Sequence, residues 1–323
     1  MERSLRMRAL KALAALLLVA AAFAQVEAAA QGRRVALVIG IDDYQSVQPL
    51  SRARNDAVAM ADRLRAKGFE VVLRTDATRR AINEAMSEFE GRLRGAEVGF
   101  FFFAGHGVEI RSSNVLLPAD IPATLSENVV LREGLLLADV AQLMTEAGVR
   151  YSVLVIDACR DNPLPRQAGR TVGRTRGLGR AEVPHGTYVV YSAGEAALDR
   201  LSDADDSPNS VFTRHLLPVL DMPGLSFDDA VKMVRDRVRA DAASVRHQQN
   251  PAIYDQSTGE FFLLPAPAPP PGDTALETVF WQSIQGSSRR AELEAYLDRW
   301  PNGVFAPIAR ARLAEAQPVA GTP

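Results

Sequence analysis

The chain has 323 residues, of which 47% are hydrophobic, and a formal net charge of −2. This apolar content is sufficient for a large buried core, which excludes a fully disordered protein. Lysine and arginine are spread along the chain rather than gathered into a basic stripe, so a nucleic-acid-binding protein is also excluded.

Residues 1–28 have the pattern of a secretory signal peptide. Three arginines and a lysine open the chain, an apolar run follows at 12–24, and Ala28 ends a small-residue cleavage site. The apolar run is too short to span a bilayer as a helix. We therefore expect a periplasmic or secreted protein, with membrane association only if the signal stays uncleaved as an anchor.

Predicted strands and helices alternate along residues 34–264, assigned from apolar runs and from apolar residues at helical spacing. The strands are predicted at 34–41, 69–76, 97–107, 114–118, 151–159, 186–193 and, as an edge strand that closes the sheet, 259–265. The helices are predicted at 51–67, 78–93, 136–147, 212–220 and 226–243. This alternation predicts an α/β fold with a mostly parallel central sheet.

Three further segments lack this alternation. Residues 163–184 combine Gly, Pro and Arg without apolar periodicity, which predicts a long mobile loop. Residues 265–272 read PAPAPPPG and predict a stiff, extended linker. Beyond it, residues 273–318 predict three short helices, broken at Gly286 and Pro301. A unit this small is expected to dock on another surface.

Two predicted interior strands end in residues that can carry chemistry. His106 stands between Gly105 and Gly107 after a run of four phenylalanines, and Cys159, the only cysteine, ends the strand at 151–159. Taken singly, such a cysteine is more often a small core residue, and such a histidine a structural one. Open α/β sheets, however, bind ligands at the carboxyl ends of their strands, so both residues can meet at one edge. An imidazole there favours the thiolate, which is the nucleophilic form of cysteine.

Four segments resemble the caspase-like cysteine peptidases of clan CD, and specifically their bacterial metacaspase and paracaspase relatives. They are VALVIGIDDY, FFFFAGHGVE, VLVIDACRDNP and NSVFTRHLL, and the resemblance covers about residues 33–264. It implies the caspase-like three-layer fold. It also implies a catalytic dyad formed by the GHG histidine and the cysteine of the D-x-C-R motif, here His106 and Cys159. Ala104, directly before the GHG, is typical of paracaspases.

The resemblance further implies cleavage of peptides or proteins after Arg, and less well after Lys, with an acidic pocket for the basic side chain. The pocket acids of the family correspond to Asp56, Asp157 and Asp199, with Glu195 as the alternative for the third because this loop is shorter than usual. Neighbouring carboxylates repel one another, and a guanidinium relieves that repulsion through forked hydrogen bonds. As structural alternatives, Asp56 can cap its own helix and Asp157 can be a strand-end turn residue.

The mechanism that the resemblance implies is acyl transfer. Cys159 attacks the peptide carbonyl, the backbone amides of Gly107 and Cys159 hold the oxyanion, and His106 moves the proton. No cofactor is expected. Calcium dependence, which occurs in some metacaspases, is not indicated, because residues 203–206 (DADD) fit no calcium loop and predict a solvated acidic turn. Family members often process a linker after the cysteine, so self-cleavage within 163–184 is a further hypothesis.

The alternative function is that of a caspase-like scaffold that does not cleave peptides and recruits a protein partner through its helical tail. The pair of His106 and Cys159 favours the enzyme, because a scaffold gains nothing from keeping an oxidisable thiol.

Overall fold

The computed structural model describes residues 32–124, 126–159, 163–164, 166–167, 170–171, 186–193, 197–256, 259–265, 271–287 and 289–315. These residues form two compact units, divided after Pro265. The predicted signal segment and most of the predicted loop 163–184 lie outside the described residues. Within the described ranges, no helix is long and apolar enough to cross a membrane.

The larger unit contains a twisted sheet with helices on both faces. Its strands are β1 (Arg34–Gly40), β2 (Phe69–Thr75), β3 (Val98–Ile110), β4 (Ser113–Leu116), β5 (Leu135–Leu136), β6 (Tyr151–Cys159), β9 (Thr187–Tyr191) and β10 (Ala252–Asp255), with β7 (Arg166–Gln167) and β8 (Arg170–Thr171) as a separate hairpin. Its helices are α1 (Ala53–Ala66), α2 (Arg79–Leu93), α3 (Glu127–Glu133), α4 (Leu137–Glu146), α5 (Val211–Val219) and α6 (Phe227–Ser244).

The strand order in the main path of the sheet is β10-β9-β6-β3-β1-β2. All neighbours along this path are parallel except β10, which runs antiparallel to β9. Helices α2 and α4 cover one face, and α1, α5 and α6 cover the other. The α/β fold with a mostly parallel sheet, predicted from the alternation of elements, is therefore confirmed.

The phenylalanine run occupies the centre of this sheet. Successive side chains of a strand point to opposite faces, so Phe101 and Phe103 pack into the core under α2 and α4, while Phe100 and Phe102 pack into the core under α1, α5 and α6. All four side chains are fully buried. A strand that is buried on both faces reads as an unbroken apolar run, which is what the sequence contains.

The predicted edge strand at 259–265 is wrong. The antiparallel edge is β10, while the later segment makes only an isolated bridge between Ser226 and Phe262. Phe261 and Leu263 are buried in the core, and the Phe261 carbonyl accepts the Phe227 amide at the start of α6. The apolar side chains of this segment therefore pack against α6, while its backbone does not form the hydrogen-bond ladder of a strand. Helix α3 and the short strand β5 were not predicted at all.

The smaller unit consists of three helices: α7 (Pro271–Ile284), α8 (Arg290–Arg299) and α9 (Ala306–Glu315). The predicted helix breaks at Gly286 and Pro301 are confirmed. The unit has a core of its own, in which the Trp281 and Phe305 rings stack in parallel with centroids 5.1 Å apart. The expected docking of this unit on another surface stays a prediction.

Candidate active site

Strands β3 and β6 place the predicted dyad at one edge of the sheet. The two strands are parallel neighbours, and their register runs from Val98 opposite Tyr151 to His106 opposite Cys159. Register partners on adjacent strands share a face of the sheet, with their backbones about 5 Å apart. The two residues, 53 positions apart in the chain, are therefore direct neighbours at the carboxyl ends of two interior strands.

Three groups hold the His106 ring and backbone. The side chain is 4% exposed, and its Nε2 lies 2.8 Å from the carbonyl oxygen of Gln48. A carbonyl can only accept, so Nε2 carries the hydrogen and the lone pair of the neutral ring belongs to Nδ1. The His106 amide donates to Tyr44 Oη at 2.8 Å, and the Tyr44 ring lies 4.6 Å from the imidazole. This tautomer makes Nδ1 the atom that can exchange a proton.

Gly105 is required by the close approach of Tyr44. A Cβ at this position would lie 2.7 Å from Tyr44 Oη and 2.9 Å from the Phe103 ring, and real Cβ atoms do not come so close to other atoms. The glycine therefore permits the hydroxyl of Tyr44 to reach the amide of His106.

The Gly107 amide faces the edge at which β6 ends. The carbonyls of Ala104 and His106 accept hydrogen bonds from Ile41 and Leu117, on the β1 and β4 side of β3. Backbone groups of successive residues in a strand point to opposite sides. The amide of Gly107 therefore points away from β4 and toward the side of Cys159.

Two buried carboxyls lie on the α1 and α5 face of the same sheet edge. Asp56, in the first turn of α1, is 1% exposed, and Asp157, two residues before Cys159, is 7% exposed. Asp56 accepts hydrogen bonds from Asn209 Nδ2 at 2.8 Å and the Ser210 amide at 3.0 Å. The cap of α1 comes instead from Asp42, which accepts the Ala53 and Arg54 amides at 2.9 and 3.2 Å. The helix-capping alternative for Asp56 is therefore wrong.

Asp157 is bound to the start of α5. Its Oδ2 accepts from Ser210 Oγ at 2.6 Å and from Thr213 Oγ1 at 2.7 Å. The residue belongs to β6 and not to a turn, so the turn alternative is also wrong. The motif NSVFTRHLL contains these hydroxyl donors, although the sequence alone did not assign them a role.

Burial and mutual repulsion make both carboxyls hard to ionise. Burial, followed by the charge of Asp157, raises the pKa of Asp56 well above its ordinary value. Burial also raises the pKa of Asp157, against the opposing effect of hydrogen bonds from Ser210 and Thr213. Strongly raised carboxyl pKa values in a cleft are typical of functional sites. A cation that enters between these groups relieves the cost of their charge.

Asp199 completes the same cavity. Its Oδ2 accepts from Ser51 Oγ at 2.8 Å, and it lines the cavity together with Asp56, Asp157 and Ser210. The free space between these groups is about 20 Å³, room for about one water molecule. The structure thus brings all three predicted pocket acids together around a narrow cavity. Glu195, the alternative third acid, lies outside the described residues.

The predicted solvated acidic turn at 203–206 is wrong for Asp205. The side chain of Asp205 is 9% exposed and accepts from Arg214 Nη2 at 2.7 Å and the Leu201 amide at 2.9 Å. In the part of the chain that the structure describes, no group of three or more histidine, cysteine, aspartate or glutamate residues is arranged to hold a metal ion.

This fold, with a histidine and a cysteine in register at one edge of a parallel sheet, defines the class of caspase-like proteins. A family profile described as the caspase domain matches residues 33–262, and the chain belongs to this family of cysteine peptidases. Proteins of the family act on peptide or protein substrates.

Two curated relatives are similar to part of the chain. They are mucosa-associated lymphoid tissue lymphoma translocation protein 1 from Homo sapiens and its homologue from Mus musculus, each 30% identical over 128 residues. The similar segment covers 39% of this chain and 15% of each relative.

Proposed function

We propose that this chain is a cysteine endopeptidase that cleaves after Arg, and less well after Lys. The observation that carries the proposal is the register of His106 and Cys159 beside a cavity lined by three aspartates. A planar guanidinium can form forked hydrogen bonds with carboxylates, whereas an ammonium acts as a point charge, so Arg is preferred.

The reaction begins with the Cys159 thiolate. Its sulfur bonds to the peptide carbonyl carbon, and the carbonyl electrons move to the oxygen, where the Gly107 and Cys159 amides donate to it. Support for the Gly107 role comes from the direction of its amide, toward the β6 side of β3.

Collapse of this intermediate breaks the C–N bond, and His106 gives its Nδ1 proton to the leaving amine. Water then attacks the thioester while His106 takes a proton from it, which releases the carboxylic acid product and restores the thiolate. The Nε2 bond to the Gln48 carbonyl supports Nδ1 as the exchanging atom. No step requires a metal or an organic cofactor.

The narrow space between the three aspartates, about 20 Å³, is smaller than an arginine side chain, so we infer that the pocket widens when substrate binds. We infer that the side chain of Asp199 moves, because its carboxylate is bound to an exposed hydroxyl of Ser51, while Asp56 and Asp157 belong to a helix and a central strand.

The test is hydrolysis of short fluorogenic peptides that end in Arg, Lys, citrulline or Asp. We expect cleavage in the order Arg, then Lys, with citrulline and Asp far behind, and no cleavage by a Cys159→Ala variant. If folded wild-type protein hydrolyses none of these peptides, the result would favour the alternative function, a scaffold that recruits partners through the helical tail.

We also propose self-cleavage within residues 163–184, a segment with five arginines. Purified wild-type protein should then split on standing, while Cys159→Ala stays whole. Equal splitting of both proteins would exclude self-cleavage.

We propose export to the periplasm or the cell exterior with removal of residues 1–28. Amino-terminal sequencing of the protein from its native compartment should then begin after Ala28. An intact Met1 on membrane-bound protein would show an anchor instead.

We expect no dependence on calcium. The test is the fluorogenic peptide assay described above, repeated with a calcium chelator, which should not change the rate of hydrolysis.

A further inference from the structure

Arg52 is a buried cation next to the acidic cavity, at the entry to α1. Its side chain is 9% exposed. Its guanidinium donates to the carbonyls of Asp199 at 2.9 Å and Asn209 at 3.4 Å, and also to the carbonyl of Asp205. All of these acceptors lie in residues 199–209, which we name the pocket loop.

Asp205 supplies the negative charge that balances this cation. Its carboxylate lies 3.5 Å from Arg52 Nη1 and 2.7 Å from Arg214 Nη2, and it accepts the Leu201 and Ser207 amides. Burial by itself would raise the pKa of Asp205, but the hydrogen bonds from Arg214 and the two amides hold it well below its ordinary value. The carboxylate is therefore charged at any physiological pH.

Both ends of the pocket loop contact the acidic cavity. Asp199, at its start, lines the cavity, and Asn209, at its end, donates to Asp56. The next residue, Ser210, donates to both Asp56 and Asp157 and begins α5. A change in the backbone conformation of the pocket loop therefore displaces Asp199, Asn209 and Ser210, which line the cavity or donate hydrogen bonds to its carboxyls.

We propose that Arg52 and Asp205 are positioning residues that set the selectivity for a basic side chain before the scissile bond. The inference rests on the proposed function. Neither residue lines the cavity. Arg52 acts by fixing the carbonyls of the pocket loop, and Asp205 acts by holding the guanidinium groups of Arg52 and Arg214 in place. Because the Arg52 guanidinium binds the loop carbonyls and Asp205, it forms no ion pair with Asp56 or Asp157, and these two carboxyls remain available to a cation of the substrate.

An arginine is needed at position 52 because several carbonyls of the loop converge on one planar group. Lysine keeps the charge but offers a single nitrogen on a flexible stem. Arg52→Lys should therefore loosen the pocket loop without removing the positive charge. Asp205→Asn should also loosen the loop, because it removes the negative charge that holds Arg52 and Arg214.

The experiment compares kcat/KM for two peptides that differ only in Arg or citrulline before the scissile bond. Citrulline has nearly the same shape as arginine without the charge. In both variants we expect this ratio to fall about tenfold, which corresponds to about 1.4 kcal/mol. A merely destabilised protein contains less active enzyme, which lowers both rates equally and leaves the ratio unchanged.

Arg74→Lys is the matched control, because Arg74 forms an ion pair with Glu88 at 2.7 Å between β2 and α2 and has no contact with the pocket loop. This variant should keep the wild-type ratio. Amide hydrogen exchange supplies the second readout: the Leu201 and Ser207 amides, bound to Asp205, should exchange faster in Arg52→Lys and Asp205→Asn than in wild type.

An unchanged ratio in both variants would overturn the inference while leaving the proposed function intact. If wild-type protein cleaves neither peptide, the proposed function fails, and hydrogen exchange still decides whether Arg52 and Asp205 hold the loop. Unchanged exchange at both amides would exclude the positioning role in either case.

Discussion

At the scale of one residue, Asp56 is a buried carboxyl whose ionisation lowers the stability of the folded protein. Because its pKa is raised in the folded protein, the protonated form contributes stability at low pH, and this contribution is lost as the pH rises through the raised pKa. Above this pKa the folded protein carries an unfavourable buried charge, which either protonation or a bound cation relieves.

Asp56→Asn should raise the free energy of unfolding by about 1–2 kcal/mol at pH 7 to 8 and leave it nearly unchanged at low pH. Cleavage after Arg should fall by at least about tenfold, since one carboxylate of the pocket is lost. Urea denaturation and the peptide assay measure the two effects. Asp62→Asn, at an exposed position of the same helix, is the control and should change neither quantity.

The preference for the Arg peptide over the citrulline peptide should depend on pH through the ionisation of Asp56 and Asp157. An arginine side chain binds best to ionised carboxyls, so kcat/KM for the Arg peptide should rise with pH through the raised pKa values of Asp56 and Asp157. The citrulline peptide reports the titration of the catalytic groups alone. The ratio of the two should increase with pH; a ratio that stays flat would contradict ionisation of these acids as the source of selectivity.

At this scale, sequence and resemblance predicted His106, Cys159 and the three aspartates, all of which the structure gathers at one sheet edge. They did not predict Gln48, because its contribution is a backbone carbonyl and any side chain could stand there. Tyr44 ends the VALVIGIDDY motif, and the sequence predicted no role for it. Its hydroxyl accepts a hydrogen bond from the amide of His106, 62 positions away, and a contact over this distance in the chain cannot be predicted from the residues around Tyr44.

At the scale of elements, the end of β3 is shaped by its glycines. The strand carries four buried phenylalanines as a rigid base, and Gly105 then lets Tyr44 contact the backbone of His106. The geometry of the histidine depends on this missing side chain.

Gly105→Ala should lower kcat at least about tenfold, because the new Cβ displaces Tyr44 or the strand end and misplaces the imidazole. Gly91→Ala is the matched control. Gly91 lies in α2, where an added Cβ meets nothing within 4 Å, so this variant should keep full activity and gain up to about 1 kcal/mol of stability. Steady-state kinetics and thermal unfolding of both proteins distinguish the outcomes, and full activity in Gly105→Ala would refute the role of the close contact.

Elements with strong periodicity were predicted close to their observed bounds, whereas the sheet edge was not. The segment at 259–265 has the apolar residues of a strand but uses Phe261 and Leu263 for packing. Strand β10 has no fully buried residue, so its short sequence carried little signal. Edge strands are defined by a neighbour's free hydrogen-bonding groups, which only the folded sheet supplies.

At the scale of the whole molecule, the two units have separate cores. The larger unit encloses the sheet and its helices, and the smaller one packs Trp281, Tyr296 and Leu293 among its three helices. The tail also exposes apolar side chains, at Leu276, Val279, Val304 and Ile308.

A chain truncated after Pro265 should fold and keep the kcat/KM of the full chain for the Arg peptide within about twofold, because every residue of the candidate site belongs to the larger unit. Peptide kinetics and thermal unfolding of the truncated and full-length proteins provide the measurement. A large loss of activity without unfolding would instead show that the tail takes part in catalysis.

The alternation of the main strands and helices, the buried centre of the sheet and the two strand ends that carry His106 and Cys159 were determined by the sequence, because periodicity and apolar content are local properties of a chain. Helix α3, the short strand β5 and the antiparallel edge strand β10 were not. Only the tertiary structure decided how narrow the cavity between Asp56, Asp157 and Asp199 is, and that Asp205 is buried between two arginines. Each of these depends on contacts between residues far apart in the chain. Such neighbours shift the pKa of a side chain from its ordinary value and fix its conformation.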